Sequence, residues 1–188
     1  MQEEIRSFIS IDVEDPKILS GVRAVQSSLR NVGADLKIVG GENVHVTLKF
    51  LGNVPPEMLS KIGEVLSGLK FSPFTLELSG VGAFPSMSRI TIIWVGIGTG
   101  SVEVENIYDH VEEGMSKLGF ARETRRFSPH ITIARVRTGR KREELAKLLE
   151  GLTENSFGSF VADRVRLKQS ILRPGSPEYH TLYEVKGE

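Results

Sequence analysis

The residues best able to do chemistry in this chain fall in two near-copies of one pattern, His45-Val46-Thr47-Leu48 and His130-Ile131-Thr132-Ile133. Each pattern sits in an apolar, β-branched run that reads as a strand. Side chains alternate across a strand, so His45 shares a face with Thr47, and His130 with Thr132. The intervening Val46, Leu48, Ile131 and Ile133 point the other way and anchor the polar face to a core. Imidazole titrates near neutrality: a neutral ring takes a proton, and a protonated ring gives one to a departing alkoxide. Threonine hydroxyls donate to non-bridging phosphate oxygens. In-line displacement at phosphorus needs a base and an acid on opposite sides of the reacting atom. Two such faces meeting across a cleft would supply both without a metal. The chemistry they suit is phosphodiester cleavage or transesterification. One His-x-Thr strand alone carries little weight; two copies in matched places carry much more.

The elements that must position these faces also come in two matched sets. A strand over 5–13 leads to a helix from Asp15-Pro16, with Ile18, Leu19, Val22, Val25 and Leu29 at helical spacing and Gly33 as its stop. A short strand (36–39), the HVTLKFLG strand, a helix from Pro55-Pro56 to Leu69 and a strand over 74–81 follow. The second set has a strand over 90–98, a helix capped by Ser101 and stopped by Gly119, and the HITIARV strand. A helix over 141–150 and two closing strands near 160–170 and 179–186 complete it. The two long helices precede their histidines by the same spacing. The chain therefore reads as one domain, 1–188, built from two halves of like topology, roughly 1–85 and 86–188. No long Pro/Gly/Ser linker separates them.

Composition narrows the class. The 188 residues are 39% hydrophobic and 26% charged, which excludes disorder. Twenty-four basic and 24 acidic residues cancel, so any nucleic-acid site must be local. There is no cysteine, which removes disulfides and thiolate chemistry and suits a reducing interior. No apolar run approaches the about 20 residues of a membrane span, and the acidic start lacks a signal-peptide pattern. A cytoplasmic protein is expected. A metal enzyme is disfavoured because no HxH or HExxH cluster occurs.

Local positive charge surrounds the second motif: Arg122, Arg125, Arg126, Arg135, Arg137, Arg140, Lys141 and Arg142 face one nearby acid, Glu123. Arg126 and Arg135 are the favoured phosphate contacts because they lie nearest His130. Strict alternation puts Arg135 on the face opposite His130, so a strand end or bulge is needed to bring it round. Lys49 shares the His45 face by alternation and is a third candidate for RNA contact. Phe84 and Phe127 are candidate base-stacking rings. His110 and His180, outside any HxT pattern, are read as non-catalytic.

The stretches ENVHVTLKFLGNV and RFSPHITIARV, with IRSFISIDV at the start and GVGAFPS before the Trp94 strand, resemble the 2H phosphoesterase superfamily. Within it they look like the RNA 2′,3′-cyclic phosphodiesterases, also called 2′-5′ RNA ligases. The resemblance spans nearly the whole chain. It implies a bilobal α/β (α+β) fold of mostly antiparallel sheet, with pseudo-twofold lobes around a central cleft. It implies metal-independent hydrolysis of terminal RNA 2′,3′-cyclic phosphates to 2′-phosphates, and reversible 2′-5′ ligation, with no cofactor. The implied partner is RNA with a cyclic phosphate end, tRNA-derived fragments among the candidates. A monomer suffices, and no protein partner or membrane is implied. By resemblance His45 is the proton donor, His130 the acceptor, and Thr47 and Thr132 hold phosphate oxygens; the symmetry of the motifs does not itself choose between the histidines. The alternatives are a cyclic phosphodiesterase acting on a small nucleotide, such as ADP-ribose 1″,2″-cyclic phosphate, and a non-catalytic RNA-binding module.

Overall fold

The computed structural model describes residues 3–188. In chain order the elements are β1 (Ile5–Asp12), α1 (Pro16–Asn31), β2 (Leu36–Ile38), β3 (His45–Val54), α2 (Pro56–Ser67), β4 (Phe74–Ser86) and β5 (Arg89–Ile97). They continue with α3 (Ser101–Lys117), β6 (His130–Val136), α4 (Arg142–Glu150), β7 (Ser156–Ala162), β8 (Arg164–Ile171) and β9 (Glu178–Lys186). Apolar residues at helical spacing bury one face of α1, among them Ile18, Val22, Val25 and Leu29. The Asp15 carboxylate accepts from the backbone N–H groups of Lys17 and Ile18 and so caps its start. Gly33 and Gly119, at φ 79° and 92°, follow the ends of α1 and α3, in the left-handed region that suits glycine.

The strands form an antiparallel sheet ordered β7-β4-β5-β6-β3-β1-β8-β9, with β2 added against β6. The two HxT strands, β3 and β6, are neighbours at its centre. Outward from them stand β1 and β5, then β8 and β4, then β9 and β7, so the order mirrors itself about the seam. The fold is bilobal and pseudo-symmetric, and the lobes exchange strands. β4, from the first part of the chain, pairs with β5 and β7, whereas β8 from the last part pairs with β1. Helices cross over too: α1 packs on β6 and β7, and α3 packs on β3.

Three local expectations are corrected. The stretch near 160–170 is two strands, β7 and β8, because the chain changes lobes at Asp163 with no glycine or proline to mark the break. Helix α3 is preceded by Gly100 at φ 90°, and Ser101 is its first helical residue without a side-chain cap bond. Lys49 does not share the His45 face. An extra residue, Leu48, bulges out of register with β1, so Thr47 pairs with Ser10 while Lys49 pairs with Ile9. The bulge turns Lys49 inward. Its Nζ lies 2.7 Å from Glu112 Oε2 of α3 and donates to the Ala121 carbonyl at 2.9 Å. Glu112 Oε1 accepts the Glu123 backbone N–H at 2.7 Å. This pair, 7% exposed on each side, fastens β3 to the loop that carries Arg122, Arg125 and Arg126.

Lys49→Met should therefore lower stability by about 3 kcal/mol in urea unfolding, since it strands a buried carboxylate. Adding Glu112→Met should recover at least half of that loss. A single substitution that costs nothing would mean the pair is not buried as described.

Candidate active site

His45 and His130 begin their strands, and the seam between β3 and β6 pairs Val46 with Ile131. This one registered pair sets the two HxT motifs side by side, running antiparallel, at the centre of the sheet. The rings are tied back in the same way. His45 Nδ1–H donates to the Asn43 carbonyl at 2.7 Å, and His130 Nδ1–H to the Ser128 carbonyl at 2.6 Å. A carbonyl only accepts, so Nδ1 carries the hydrogen and Nε2 is left for chemistry. His45 Nε2 accepts from the Thr47 hydroxyl at 2.9 Å. Asn43 is itself held, its Nδ2 donating to the Pro177 carbonyl and the Ser176 hydroxyl of the β8–β9 loop.

The bulge at Leu48 has a twin. Between Thr132, paired with Trp94, and Ala134, paired with Ile93, the extra residue is Ile133. It brings Arg135 onto the His130 face, which strict alternation forbids, and Arg135 is exposed there. The matching position beyond the first bulge is Phe50, cross-strand from Phe8. Arg126 is exposed in the loop before β6. Phe127 is stacked on Tyr108, with centroids 3.9 Å apart and planes 2° apart, so one face of its ring is already taken. His110 and His180 are exposed and lie outside this array.

The two walls differ in chemistry. Beside His45, Asp12 lies across from it on β1, and Asp12 accepts from Lys168 (2.6 Å), Arg166 (2.7 Å) and Ser10 (2.9 Å). Burial pushes the Asp12 carboxyl up, but these donors outweigh it and hold it below its usual range. Phe8, 4.9 Å from His45, and Tyr179, 5.6 Å away, complete this wall. Beside His130 the equivalent partner is Gly96, and the wall is aromatic: Phe84 at 4.9 Å and Trp94 at 6.4 Å. The indole lies over Gly82, where a Cβ would stand 2.2 Å from the ring, so only glycine fits beneath it. The charged wall was not legible as a site; Asp12, Arg166 and Lys168 are far apart in sequence and follow no motif.

Burial lowers the titration of both imidazoles below the ordinary histidine value. The backbone bonds to Asn43 and Ser128 oppose it. For His45 the Asp12 charge also opposes it, and Lys168 and then His130 add to the lowering; for His130 the added charge is Arg135. Lys168→Met should therefore raise the His45 titration midpoint and leave His130 in place, and Arg135→Gln should raise His130 alone. NMR titration of the ring protons reads both; midpoints that ignore these substitutions would contradict the charge placement.

Comparison with known proteins agrees with this architecture. The family model described as LigT like Phosphoesterase matches the chain twice, over residues 12–94 and 97–179. A protein of Aeropyrum pernix named RNA 2′,3′-cyclic phosphodiesterase is 41% identical over 162 residues, covering 86% of this chain and 92% of its own. One of the same name from Archaeoglobus fulgidus is 38% identical, covering 95% and 98%. The crystal structure of Escherichia coli LigT in apo form superposes with a TM-score of 0.79 at 23% identity over 99% of both chains, which bears on the fold. Twin HxT strands, mirrored lobes and a family match in each part of the chain lead to one conclusion: this protein belongs to the LigT-like phosphoesterase family.

Proposed function

We propose that this protein opens 2′,3′-cyclic phosphate ends of RNA to 2′-phosphomonoesters by metal-independent acid–base catalysis between His45 and His130. The observation that carries this reading is the paired geometry: two imidazoles at the starts of neighbouring central strands, each tied at Nδ1 to a carbonyl two residues back. The names of the relatives from Aeropyrum pernix and Archaeoglobus fulgidus support the substrate class.

In this mechanism Thr47 and Thr132 donate to the non-bridging oxygens. His130 takes a proton from water as its oxygen bonds to phosphorus. The P–O3′ bond breaks, and His45 protonates the departing 3′ oxygen. The asymmetric walls support this division of labour. Burial lowers both rings, but an anion, Asp12, stands only beside His45, where it acts against burial and Lys168, whereas the charge beside His130 is Arg135, which lowers that ring further. A 5′-hydroxyl in place of water gives a 2′-5′ linkage by the same steps, with the strained ring supplying the energy. Arg135 and Arg126 supply local positive charge for the RNA backbone. Both imidazoles come from one chain, so a monomer suffices.

An RNA ending in a 2′,3′-cyclic phosphate, incubated with the protein in EDTA, should yield a terminal 2′-phosphate. His45→Ala and His130→Ala should each lose about 10²- to 10⁴-fold in rate. Thr47→Val and Thr132→Val should each lose roughly 10²-fold. Turnover abolished by EDTA, or indifferent to both histidines, would sink the mechanism. The kcat/KM profile should be a bell centred on the acid side of pH ~6.5, because one ring must be neutral, the other protonated, and both titrate low. A plateau running well above neutrality would contradict it.

A further inference from the structure

Phe50 is 67% exposed, although it stands in the strand that anchors His45. A single exposed aromatic residue is ordinary. This one is set apart by where the fold puts it. The Leu48 bulge turns Lys49 into the core and presents Phe50 on the same face as His45 and Thr47. The rings then run outward in a row: His45 to Phe8 at 4.9 Å, Phe8 to Phe50 at 6.2 Å. Phe8 is buried, and its ring also meets Tyr179 at 4.8 Å, so the inner position is already packed. Among the described residues, Phe50 is the most exposed aromatic ring of this wall. At the mirrored position beyond the Ile133 bulge stands Arg135, also exposed. The cleft thus carries an open aromatic ring on one lip and a guanidinium on the other, each delivered by the same backbone irregularity.

We propose that Phe50 stacks the base of the nucleotide preceding the one that bears the cyclic phosphate. The inference rests on the function proposed above and adds a second base subsite to it. One aromatic ring packs against each histidine at 4.9 Å, Phe8 on one side and Phe84 on the other, whereas Phe50 lies one ring further out from the reacting centre. Three strand residues beyond Thr47 place it roughly 10 Å along the strand. A base has a π-face whatever its identity, so the subsite would favour chain length over sequence.

The test compares adenosine 2′,3′-cyclic phosphate with the dinucleotide ApA ending in the same cyclic phosphate. Wild-type protein, Phe50→Ala and Phe50→Trp are assayed in EDTA. The wild type should show the lower KM for the dinucleotide. Phe50→Ala should raise that KM about tenfold, leaving kcat and both constants for the mononucleotide unchanged. Phe50→Trp should keep the advantage. Since Phe50 lies mostly in solvent, its truncation leaves the core intact. An unchanged dinucleotide KM in Phe50→Ala would overturn the subsite. An equal rise for both substrates would also overturn it, by assigning the ring to the terminal base. A wild type that turns over neither substrate would instead remove the reading on which the subsite rests.

Discussion

A bulge buried in a sheet must find partners for what it displaces, and this fold depends on two of them. Strand β3 also bulges at Leu51, but each HxT strand bulges directly after its threonine, at Leu48 or Ile133. Beneath each, a helix from the other part of the chain supplies a buried polar side chain. Gln26 of α1 donates to the carbonyls of Ile133 and Val39 at 3.0 and 2.8 Å. Glu112 of α3 meets Lys49 at 2.7 Å. The helices therefore cannot pack at home; each is held against the opposite motif. That crossing binds the two HxT strands into one seam, and the seam sets the relation between the two histidines.

Symmetry sets two like imidazoles beside the seam, and departures from symmetry give them unlike surroundings. The HxT cores are near-copies, down to the Nδ1 bond with a carbonyl two residues back. Around them the lobes diverge. Asp12, Arg166 and Lys168 occupy positions held across the axis by Gly96, Gly82 and Phe84. In the charged set Asp12 favours a protonated His45 and Lys168 opposes it. The glycines on the other side make room for a flat indole. A substrate lying across the seam meets a different surface on each lobe, which is what a polar chain such as RNA requires for a single binding direction.

Much of this was legible in the sequence because hydrophobic periodicity and repeated order are local signals. The paired motifs, the Gly33 and Gly119 stops and the strand–helix order all follow from residues close together in the chain. What escaped was set by register. Strict alternation placed Lys49 toward the cleft and Arg135 away from it, and a one-residue bulge reversed both. No residue type announces such a bulge; it shows only when the partner strand is known. The lobe exchange of β4 and β8 was hidden for the same reason, since strand pairing is a long-range choice. Asp12, Arg166 and Lys168 come together only through β1–β8 pairing, and no spacing in the chain foretells it.

The most direct measurement of the two-sided arrangement is a crystal structure with a nucleoside vanadate, whose trigonal-bipyramidal centre resembles phosphorus in mid-transfer. The two apical oxygens should lie within hydrogen-bond distance of Nε2 of His45 and of His130, one each, with the Thr47 and Thr132 hydroxyls on equatorial oxygens. Both imidazoles on one side of the metal centre, or vanadate bound away from the β3–β6 seam, would contradict acid–base catalysis across the cleft.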